Sequence, residues 1–468
     1  GELEAAVASY RRALAVDPDD AKLHGNLATT LLYQGYQKEA EASYRRAMAI
    51  DPDHAGVHSA FLFNLSYNTT DPKVLAREYR KWNERHARPL AAGIRPHTND
   101  RDPERRLRVG YVSADFWSHA VSHFFEPLLF AHDRARVEIF CYSNAVRVDA
   151  ATQNLQQSAD VWRNIVGMSD EAVAERVSAD AIDILVDLTG HAAGKRLLVF
   201  ARKPASVQVT YLGSLATTGL AVMDYRLTDR FLTPTDTTEW FSENLIRLPG
   251  CFACYRPLAY ALEVAPLPAM ANGYVTFGSF NNLTKVTPKV VALWSEVLRL
   301  VPKARLILKD VTLVDPAQRR RYQELFANCG IEAERIELLP RTPPADYLAT
   351  YGRIDIGLDP FPYNGCTTTC EALWMGVPVI TLAGSLSYSR FGVSLLSTLE
   401  LPEFIATTPE EYVKKAVNWA KNRKRLAALR AQLRAKMAAS ALCDAKAFAL
   451  GVEQAYRQMW RRWCKSQK

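Results

Sequence analysis

Short apolar runs alternate with longer mixed segments along most of the chain beyond residue 106. Runs such as Leu107–Ser113, Ile182–Val186 and Val275–Phe280 are rich in Val, Ile and aromatic residues, which predicts buried strands. The longer segments between such runs, for example Ser169–Val177 and Pro288–Leu300, predict helices. Strands and helices that alternate in this way indicate α/β domains built on parallel sheets.

The alternation is interrupted once, over residues 249–268, where four prolines occur with little periodicity. We therefore expect two consecutive Rossmann-like α/β domains, over residues 107–255 and 273–440, with a connector over residues 256–272. Residues 441–468 are expected to add a C-terminal helix. Open α/β folds bind ligands at the carboxyl ends of their strands, so a cleft lined by those ends is the expected site.

An internal repeat occupies the start of the chain. The segment Ala6–Asp19 recurs 34 residues later as Ala40–Asp53, with Tyr-Arg-Arg-Ala and Asp-Pro-Asp in both copies. Small alanines let paired helices approach closely, and the proline ends one helix and opens the next. The pattern resembles the tetratricopeptide repeat. Two repeats bury too little core to stand alone. We assign residues 1–92 to α-helical repeats that pack on further repeats or on the next domain, and the polar residues 93–106 to a linker.

Composition narrows the class of protein. Of the 468 residues, 48% are apolar and 23% are charged, as in ordinary globular proteins. No apolar run approaches the roughly 20 residues that cross a bilayer, and no signal peptide is recognised. Eight cysteines are too few for a disulfide framework, and the pair Cys251 and Cys254 has no second pair of ligands for zinc. We expect a soluble cytoplasmic protein with reduced thiols, no metal and no membrane contact.

The net charge of +8 is compatible with nucleic acid or with phosphorylated small molecules. Residues 414–436 contain nine basic residues and no acid, on a predicted helix. No interleaved aromatic residues or RNA-binding motif accompany them. We interpret this run as a solvated helix face and expect no nucleic-acid partner.

The turn that follows a predicted strand at residues 354–358 has the composition of a phosphate site. Gly365 allows close approach of the backbone, and Cys366, Thr367 and Thr368 then open a helix. Free N–H groups and the positive end of the helix dipole favour a phosphate there. Glu371 lies one turn further on the same face, where a carboxylate can accept hydrogen bonds from ribose hydroxyls. A threonine-capped structural helix is the alternative interpretation.

A second loop carries a lysine at the end of a strand. Lys285 follows Asn281 and Asn282, and it precedes a helix that opens at Thr287 and Pro288. An ammonium beside a diphosphate can neutralise the charge that develops when a sugar–phosphate bond breaks. A solvated surface lysine is the alternative.

Several short motifs, taken in order, resemble the catalytic region of the protein O-GlcNAc transferases. With the repeats in front, the resemblance covers essentially the whole chain, and it extends to bacterial members and to the plant protein O-fucosyltransferase branch. The motifs are Leu107–His123, Asp187–His191, Gln208–Gly213, Thr217–Leu220, Asp224–Asp229, Asn281–Lys285 and Gly365–Thr368.

The resemblance implies a GT-B type fold whose C-terminal helix, here Phe448–Trp463, packs back on the first Rossmann-like domain. It also implies transfer of a sugar, without a metal or a cofactor, from a nucleotide donor to Ser or Thr of proteins with inversion. The repeats would present the acceptor polypeptide.

Seven residues are implied at the donor, and five of them contact its diphosphate or ribose or lie beside them, while Tyr347 and Cys366 complete the set. Lys285 matches the lysine on the donor diphosphate, and Asn282 replaces a glutamine that contacts the donor in animal enzymes. Thr367 and Thr368 match the hydroxyl pair at the phosphate. Glu371 replaces an aspartate that holds the ribose.

The resemblance also implies a base and further contacts. His119 matches a histidine that has been considered as the base for the acceptor hydroxyl, a role that suits a neutral imidazole. Asp187 and His191 are expected on the same, acceptor side of the cleft. Tyr347 stands where animal enzymes stack a histidine near the uracil, and Cys366 replaces the histidine before the threonine pair.

The donor sugar depends on one further substitution. Tyr363 replaces a cysteine that lies beside the N-acetyl group in animal enzymes, and the surrounding Tyr-x-Gly-x-Thr-Thr-Thr-Cys-Glu is nearer the plant O-fucosyltransferase branch. We therefore expect a protein O-glycosyltransferase that uses UDP-GlcNAc, with GDP-fucose as the alternative donor. A repeat scaffold with an inactive transferase core is the alternative from another class.

Overall fold

A computed structural model describes residues 2–466 of the chain. Gly1 of the predicted repeat region and residues 467–468 of the predicted C-terminal helix lie outside the described residues. No helix within the described range is long and apolar enough to cross a membrane. The chain forms two compact units, of which the first contains residues up to 57, 64–70 and 257–440, and the second contains residues 58–63, 71–256 and those from 441.

Helical hairpins form the N-terminal region, as the repeat predicts. Asp20 accepts hydrogen bonds from the backbone N–H groups of Lys22 and Leu23 and so caps the second helix. Ala40 and Ala47 are fully buried, so these small side chains allow the helices to approach closely. The helices are α1 (Glu2–Val16), α2 (Ala21–Tyr33), α3 (Gln37–Ile50), α4 (Ala55–Asn68) and α5 (Pro72–Trp82).

The sheet of the second unit has seven parallel strands in the order β3-β2-β1-β4-β5-β6-β7. Its central strands are buried on both faces, as expected where helices cover a parallel sheet. The strands are β1 (Leu107–Ser113), β2 (Val137–Ser143), β3 (Val161–Asn164), β4 (Ile184–Asp187), β5 (Val207–Thr210), β6 (Tyr225–Thr228) and β7 (Asn244–Arg247), and the helices are α6 (Ser122–Ala131), α7 (Ala150–Ser158), α8 (Asp170–Ala179) and α9 (Leu197–Ala201).

The sheet of the first unit repeats this topology with six parallel strands, in the order β10-β9-β8-β11-β12-β13. Helical repeats followed by two Rossmann-like domains confirm the predicted GT-B type fold class. The strands are β8 (Thr276–Ser279), β9 (Arg305–Lys309), β10 (Ile336–Leu339), β11 (Ile356–Leu358), β12 (Val379–Leu382) and β13 (Ile405–Ala406), and the helices are α10 (Pro268–Asn272), α11 (Pro288–Leu300), α12 (Pro316–Ala327), α13 (Pro344–Ala349), α14 (Thr367–Trp374), α15 (Phe391–Thr398), α16 (Pro409–Lys421) and α17 (Arg423–Ala438).

The last helix, α18 (Ala445–Ser466), belongs to the second unit. Its Glu453 carboxylate lies 2.9 Å from Nδ1 of the buried His132. Its Tyr456 hydroxyl lies 3.2 Å from the hydroxyl of Tyr111 on β1. Buried polar contacts of this kind fix the helix against the first Rossmann-like domain.

The basic run over residues 414–436 differs from the expected solvated face. The guanidinium of Arg430 is buried and donates to the carbonyls of Ala265 at 2.6 Å and Ile354 at 2.7 Å. Arg434 donates to the carbonyl of Trp374 at 2.8 Å. The prediction is wrong for these arginines because a guanidinium presents five donors and can satisfy several loop carbonyls at once.

Candidate functional site

The carboxyl edge of the sheet in the first unit carries the predicted phosphate-binding groups. Lys285 lies in a turn after β8, and Thr367 and Thr368 begin α14 after β11, the neighbouring strand. The Thr368 hydroxyl donates to the Asn281 side-chain oxygen at 3.0 Å, and the Lys285 ammonium donates to the Asn364 carbonyl at 2.9 Å. The structure therefore brings these groups from the two predicted loops together.

The Lys285 side chain is half-buried. Its Nζ lies 4.6 Å from the centroid of the Tyr363 ring, over the ring face. Burial lowers the pKa of Lys285 and raises the pKa of the neighbouring Asp359, and the attraction between the two charges opposes both shifts. An incompletely hydrated ammonium of this kind binds an anion more strongly than a solvated one does.

Asp359 fixes the turn that carries the threonine pair. Its carboxylate accepts a hydrogen bond of 2.6 Å from the Gly365 N–H and another of 2.6 Å from the Thr381 hydroxyl. A Cβ atom at Gly365 would lie 2.7 Å from Asn281 Oδ1 and 2.8 Å from Thr368 Oγ1, so glycine is what lets these side chains approach the backbone. Close approach of a phosphate to Gly365 stays a prediction. No role was predicted for Asp359, although a carboxylate directly after a strand was the signal for it.

The start of α14 is open to a ligand. Cys366 is the N-cap residue and makes no side-chain capping hydrogen bond, and Cys366, Thr367 and Thr368 are all half-buried. The first N–H groups of a helix have no partner within the helix, and the helix dipole is positive there. This α14 terminus can therefore receive an anion beside Lys285.

Glu371 on α14 and Tyr347 on α13 form a hydrogen-bonded pair. The Tyr347 hydroxyl donates to a Glu371 carboxylate oxygen at 2.6 Å and lies 3.3 Å from the Tyr351 hydroxyl. Burial raises the pKa of Glu371 to about 7, against the lowering effect of these two tyrosines. The half-buried Tyr347 ring lies 5.5 Å from the ring of Phe280. The roles predicted for the pair, on the ribose and the base, remain predictions.

Asn282 is exposed at the tip of the lysine loop. Its side-chain oxygen accepts a hydrogen bond of 2.9 Å from the Thr284 N–H. That bond caps the turn that carries Lys285. The amide NH2 group of Asn282 is therefore the group that can contact a nucleotide sugar.

Residues of the repeat region contact this site within the first unit, and the sequence predicted none of these contacts. The buried Gln37 side chain donates at 3.1 Å to the Thr284 carbonyl, across 247 positions of sequence. The Tyr67 ring lies 5.1 Å from the ring of Tyr363, which also stacks on Tyr388 at 5.5 Å. The turn that carries Lys285 is thus supported by the first residue of α3.

His119 lies on the carboxyl edge of the other sheet, after β1 in the second unit. Its half-buried ring has Nδ1 within 3.5 Å of an Asp115 carboxylate oxygen and 3.3 Å from the Val121 N–H. Burial lowers the pKa of His119 and raises the pKa of Asp115 to about 6. A neutral imidazole beside a carboxylate is therefore expected at pH 7.

Asp187 is engaged by its own loop. Its carboxylate accepts hydrogen bonds from the N–H groups of Thr189 and Gly190 and, at 3.0 Å, from the Thr210 hydroxyl. The residue is buried, so these contacts favour a structural role over contact with an acceptor.

His191 is also held on both ring nitrogens. Nε2 lies 2.8 Å from the Thr218 carbonyl, and Nδ1 lies 3.0 Å from the Ser59 hydroxyl. Burial lowers the pKa of His191 to about 3, and the rings of Tyr79 and Trp82 enclose it. His191 is therefore neutral and holds the loop after β5 in place through its hydrogen bond to Thr218.

Two charged residues missed by sequence reasoning hold that loop from the other side. The buried Arg226 donates to the carbonyls of Ser214 and Ala216, and the Glu243 carboxylate accepts from Thr217 and Thr218. Both residues lie in or near the motifs that carried the resemblance. Within residues 2–466, no three His, Cys, Asp or Glu side chains are grouped so as to hold a metal ion.

Comparison with known proteins places these observations in a family. The model of glycosyl transferase family 41 matches residues 84–255 and 266–452. Tetratricopeptide repeat models match residues 1–35 and 21–54.

Two curated relatives and one solved structure are similar to the chain. "Probable UDP-N-acetylglucosamine--peptide N-acetylglucosaminyltransferase SPINDLY" of Arabidopsis thaliana is 43% identical over 84% of this chain and 43% of its own length. The corresponding SEC protein of Arabidopsis thaliana is 32% identical over 78% of this chain and 38% of its own length. The chain thus spans less than half of these relatives. A mutant of the Thermobaculum terrenum O-GlcNAc transferase has a structure that is 39% identical, with a TM-score of 0.95 over 100% of this chain and 89% of that one.

Proposed function

The chain belongs to glycosyl transferase family 41, and we propose on that basis that it is a protein O-glycosyltransferase. In the proposed reaction the hydroxyl of an acceptor Ser or Thr attacks the anomeric carbon of a nucleoside diphosphate sugar. The bond from that carbon to the diphosphate breaks, a base takes the hydroxyl proton, and the sugar is transferred with inversion. The observation that carries the proposal is the Lys285 ammonium beside the open start of α14.

Lys285 and the helix terminus would stabilise the departing diphosphate. Negative charge grows on the diphosphate oxygens as the sugar bond breaks, and a fixed ammonium and a helix dipole favour that charge without reorganising. The same two features supply the positive charge that a cation would otherwise bring. The reaction is therefore proposed to be independent of metal, and unchanged turnover in EDTA is the expected result.

His119 is the proposed base. For Nε2 to accept the proton of the acceptor hydroxyl, the neutral ring must carry its own proton on Nδ1. In the structure the Val121 N–H donates to Nδ1 at 3.3 Å, which favours the other tautomer. His119 would therefore act as the base after its ring proton moves to Nδ1, where the Asp115 carboxylate at 3.5 Å can accept it and stabilise the imidazolium that forms. The repeats would present the acceptor polypeptide. Within residues 2–466 no disulfide joins any of the eight cysteines, which suits a reducing cytoplasm.

UDP-GlcNAc is the proposed donor, because the two relatives and the solved structure described above are named as GlcNAc transferases. One observation favours GDP-fucose as a second candidate. Tyr363, Tyr388 and Tyr67 form an aromatic wall beside Lys285, which leaves less room for an N-acetyl group.

The test is calorimetric titration of the protein with UDP and with GDP, together with a transfer assay with both nucleotide sugars and a peptide acceptor. Lys285→Ala should weaken binding of the preferred nucleotide at least tenfold and lower transfer by about 10²–10³. Lys289→Ala, which removes an exposed lysine four positions further along the chain, should leave both unchanged.

Each outcome assigns the function. Tighter binding of UDP with transfer of GlcNAc supports the first donor, and tighter binding of GDP with transfer of fucose supports the second. Nucleotide binding without any turnover, or no binding at all, would favour the inactive scaffold. Unchanged transfer by Lys285→Ala would overturn the proposed stabilisation of the leaving group.

A further inference from the structure

Three loops meet at the carboxyl edge of the sheet in the second unit. Gly194, in the loop after β4, packs so closely on Ala114 after β1 that a Cβ atom would lie 2.3 Å from the Ala114 Cβ. The Asn144 side chain, after β2, donates at 3.0 Å to the Gly194 carbonyl. Gly194 itself has a φ of +75°, which glycine adopts without strain. The backbone immediately before Lys195 is therefore fixed.

Lys195, the next residue of this loop, has no partner for its ammonium among the described residues. Its side chain is half-buried, yet no hydrogen bond or ion pair within residues 2–466 involves its ammonium. The adjacent Arg196 donates to the Met168 carbonyl at 2.7 Å and lies 2.9 Å from an Asp170 carboxylate oxygen. Protein interiors normally pair a partly buried charge, so the unpaired ammonium of Lys195 indicates a partner outside the chain.

Within residues 2–466, none of the carboxylates of this edge pairs with Lys195, and Asp115 faces His119 instead. Asp187 accepts its four hydrogen bonds from its own loop and from Thr210. Asp149 caps α7 through the Thr152 N–H and also accepts from the Ser118 N–H. An anion for Lys195 must therefore come from a ligand.

A second cation lies in another loop of the same edge. The exposed Arg147 guanidinium, in the loop after β2, lies 5.0 Å from the centroid of the Trp117 ring. Burial lowers the pKa of Lys195 to about 8, which leaves the ammonium mostly charged at pH 7 but poorly hydrated. A carboxylate that replaces the missing hydration would be bound more strongly here than at a solvated lysine.

We propose that Lys195 binds an acidic side chain of the acceptor polypeptide, close in sequence to the hydroxyl that receives the sugar. The inference rests on the proposed function and adds a preference for acidic acceptors. Binding of the donor diphosphate by Lys195 is the competing source of an anion, and it is an outcome of the test.

The experiment compares acceptor peptides that differ only by Asp or Asn at single positions around one serine. The wild-type protein should glycosylate the best Asp peptide about five- to tenfold more efficiently than its Asn partner, as kcat/KM. Lys195→Met should reduce that ratio to about one, and Lys195→Arg should restore most of it. Lys446→Met, which removes an exposed lysine of the same unit, should leave the ratio unchanged. Melting temperatures establish that the variants fold.

Two further readouts separate the explanations. A ratio that survives in Lys195→Met would overturn the proposal, as would a tenfold loss of UDP or GDP binding with the ratio unchanged, which would assign Lys195 to the donor. Peptide binding is also measured by fluorescence anisotropy, without turnover. If the wild-type protein transfers no sugar yet binds the Asp peptide through Lys195, the proposed function fails and the peptide contact stands.

Discussion

Asp187 and Asp359 occupy equivalent positions in the two sheets. Asp187 ends β4 and Asp359 follows β11. Strand β4 lies beside β1 and strand β11 lies beside β8, the first strand of each sheet in chain order. Each carboxylate accepts a hydrogen bond from a threonine on the next strand, Thr210 at 3.0 Å and Thr381 at 2.6 Å. Both are buried, and burial raises the pKa of both.

The two aspartates differ in what else they meet. Asp187 spends its remaining acceptor capacity on the N–H groups of its own loop, Thr189 and Gly190. Asp359 accepts from one such N–H, that of Gly365, and lies close enough to Lys285 for their charges to interact. In both sheets, the Asp–Thr hydrogen bond thus stabilises the loop that follows a strand. A lysine added from a neighbouring loop converts it into part of a charged site.

The largest expected effect comes from replacing each aspartate by asparagine. Asp359→Asn removes the negative charge beside Lys285, so the pKa of Lys285 should fall further and the ammonium should be lost near neutral pH. We expect transfer to fall about 100-fold at pH 7. Part of the loss should be recovered as the pH is lowered, because protonation restores the ammonium. The measurement is kcat/KM between pH 6 and 8.

Asp187→Asn should act on stability instead. The asparagine oxygen can still accept from the Thr189 and Gly190 N–H groups, but the NH2 group would replace the oxygen that accepts a second contact from Gly190 and the hydrogen bond from Thr210. We expect a cost of about 1–2 kcal/mol in the free energy of unfolding, measured in urea. Activity per folded molecule should change less than threefold. If both variants lost only stability, or both lost only activity, the two positions would be equivalent and the comparison would fail.

Strands that are buried on both faces could be predicted from the sequence, and the two edge strands of the second unit could not, for a physical reason. β1, β4 and β8 are buried on both faces and therefore stand out as continuous apolar runs. β3 and β7 lie at or near a sheet edge, are half-buried or exposed, and have polar sequences that give no such signal.

The same distinction applies to the site. Lys285 and the threonine pair could be predicted, because a strand end followed by a loop and a helix start is a local pattern. The contact of Gln37 could not, since folding makes it between distant segments. Asp359 offered a local signal as a carboxylate after a strand, but its interaction with Lys285 depends on a distant loop. The resemblance supplied His119, Asp187 and His191 together, and only the structure separates a half-buried imidazole from one fixed on both nitrogens.

A smaller effect is expected at Glu371, a carboxyl on α14 of the first unit that is not part of the Asp359–Lys285 pair. Its pKa in the folded protein is raised to about 7 by burial. Ribose hydroxyls that donate to it would favour the ionised form, so nucleotide binding should require its deprotonation. The affinity should therefore fall as the pH drops below 7, by about tenfold at pH 6 relative to pH 8.

Calorimetry across this pH range checks the prediction, with proton release followed in buffers of different ionisation enthalpy. Glu371→Gln should bind nucleotide more weakly at pH 8 and should lose most of the pH dependence. Retention of the full pH dependence in that variant would assign it to another group.

The smallest effect is expected at Gln37, whose side chain joins α3 to the turn that carries Lys285 and, among the described residues, has no counterpart at Asp187. Gln37→Leu leaves the buried Thr284 carbonyl without its hydrogen bond and loosens the turn that carries Lys285. We expect KM for the donor to rise about three- to fivefold with kcat changed less than twofold, because the residue positions the loop and touches no reacting atom. Lys38→Ala, an exposed neighbour, should change neither constant. A lowered melting temperature with an unchanged KM would instead make the contact purely structural.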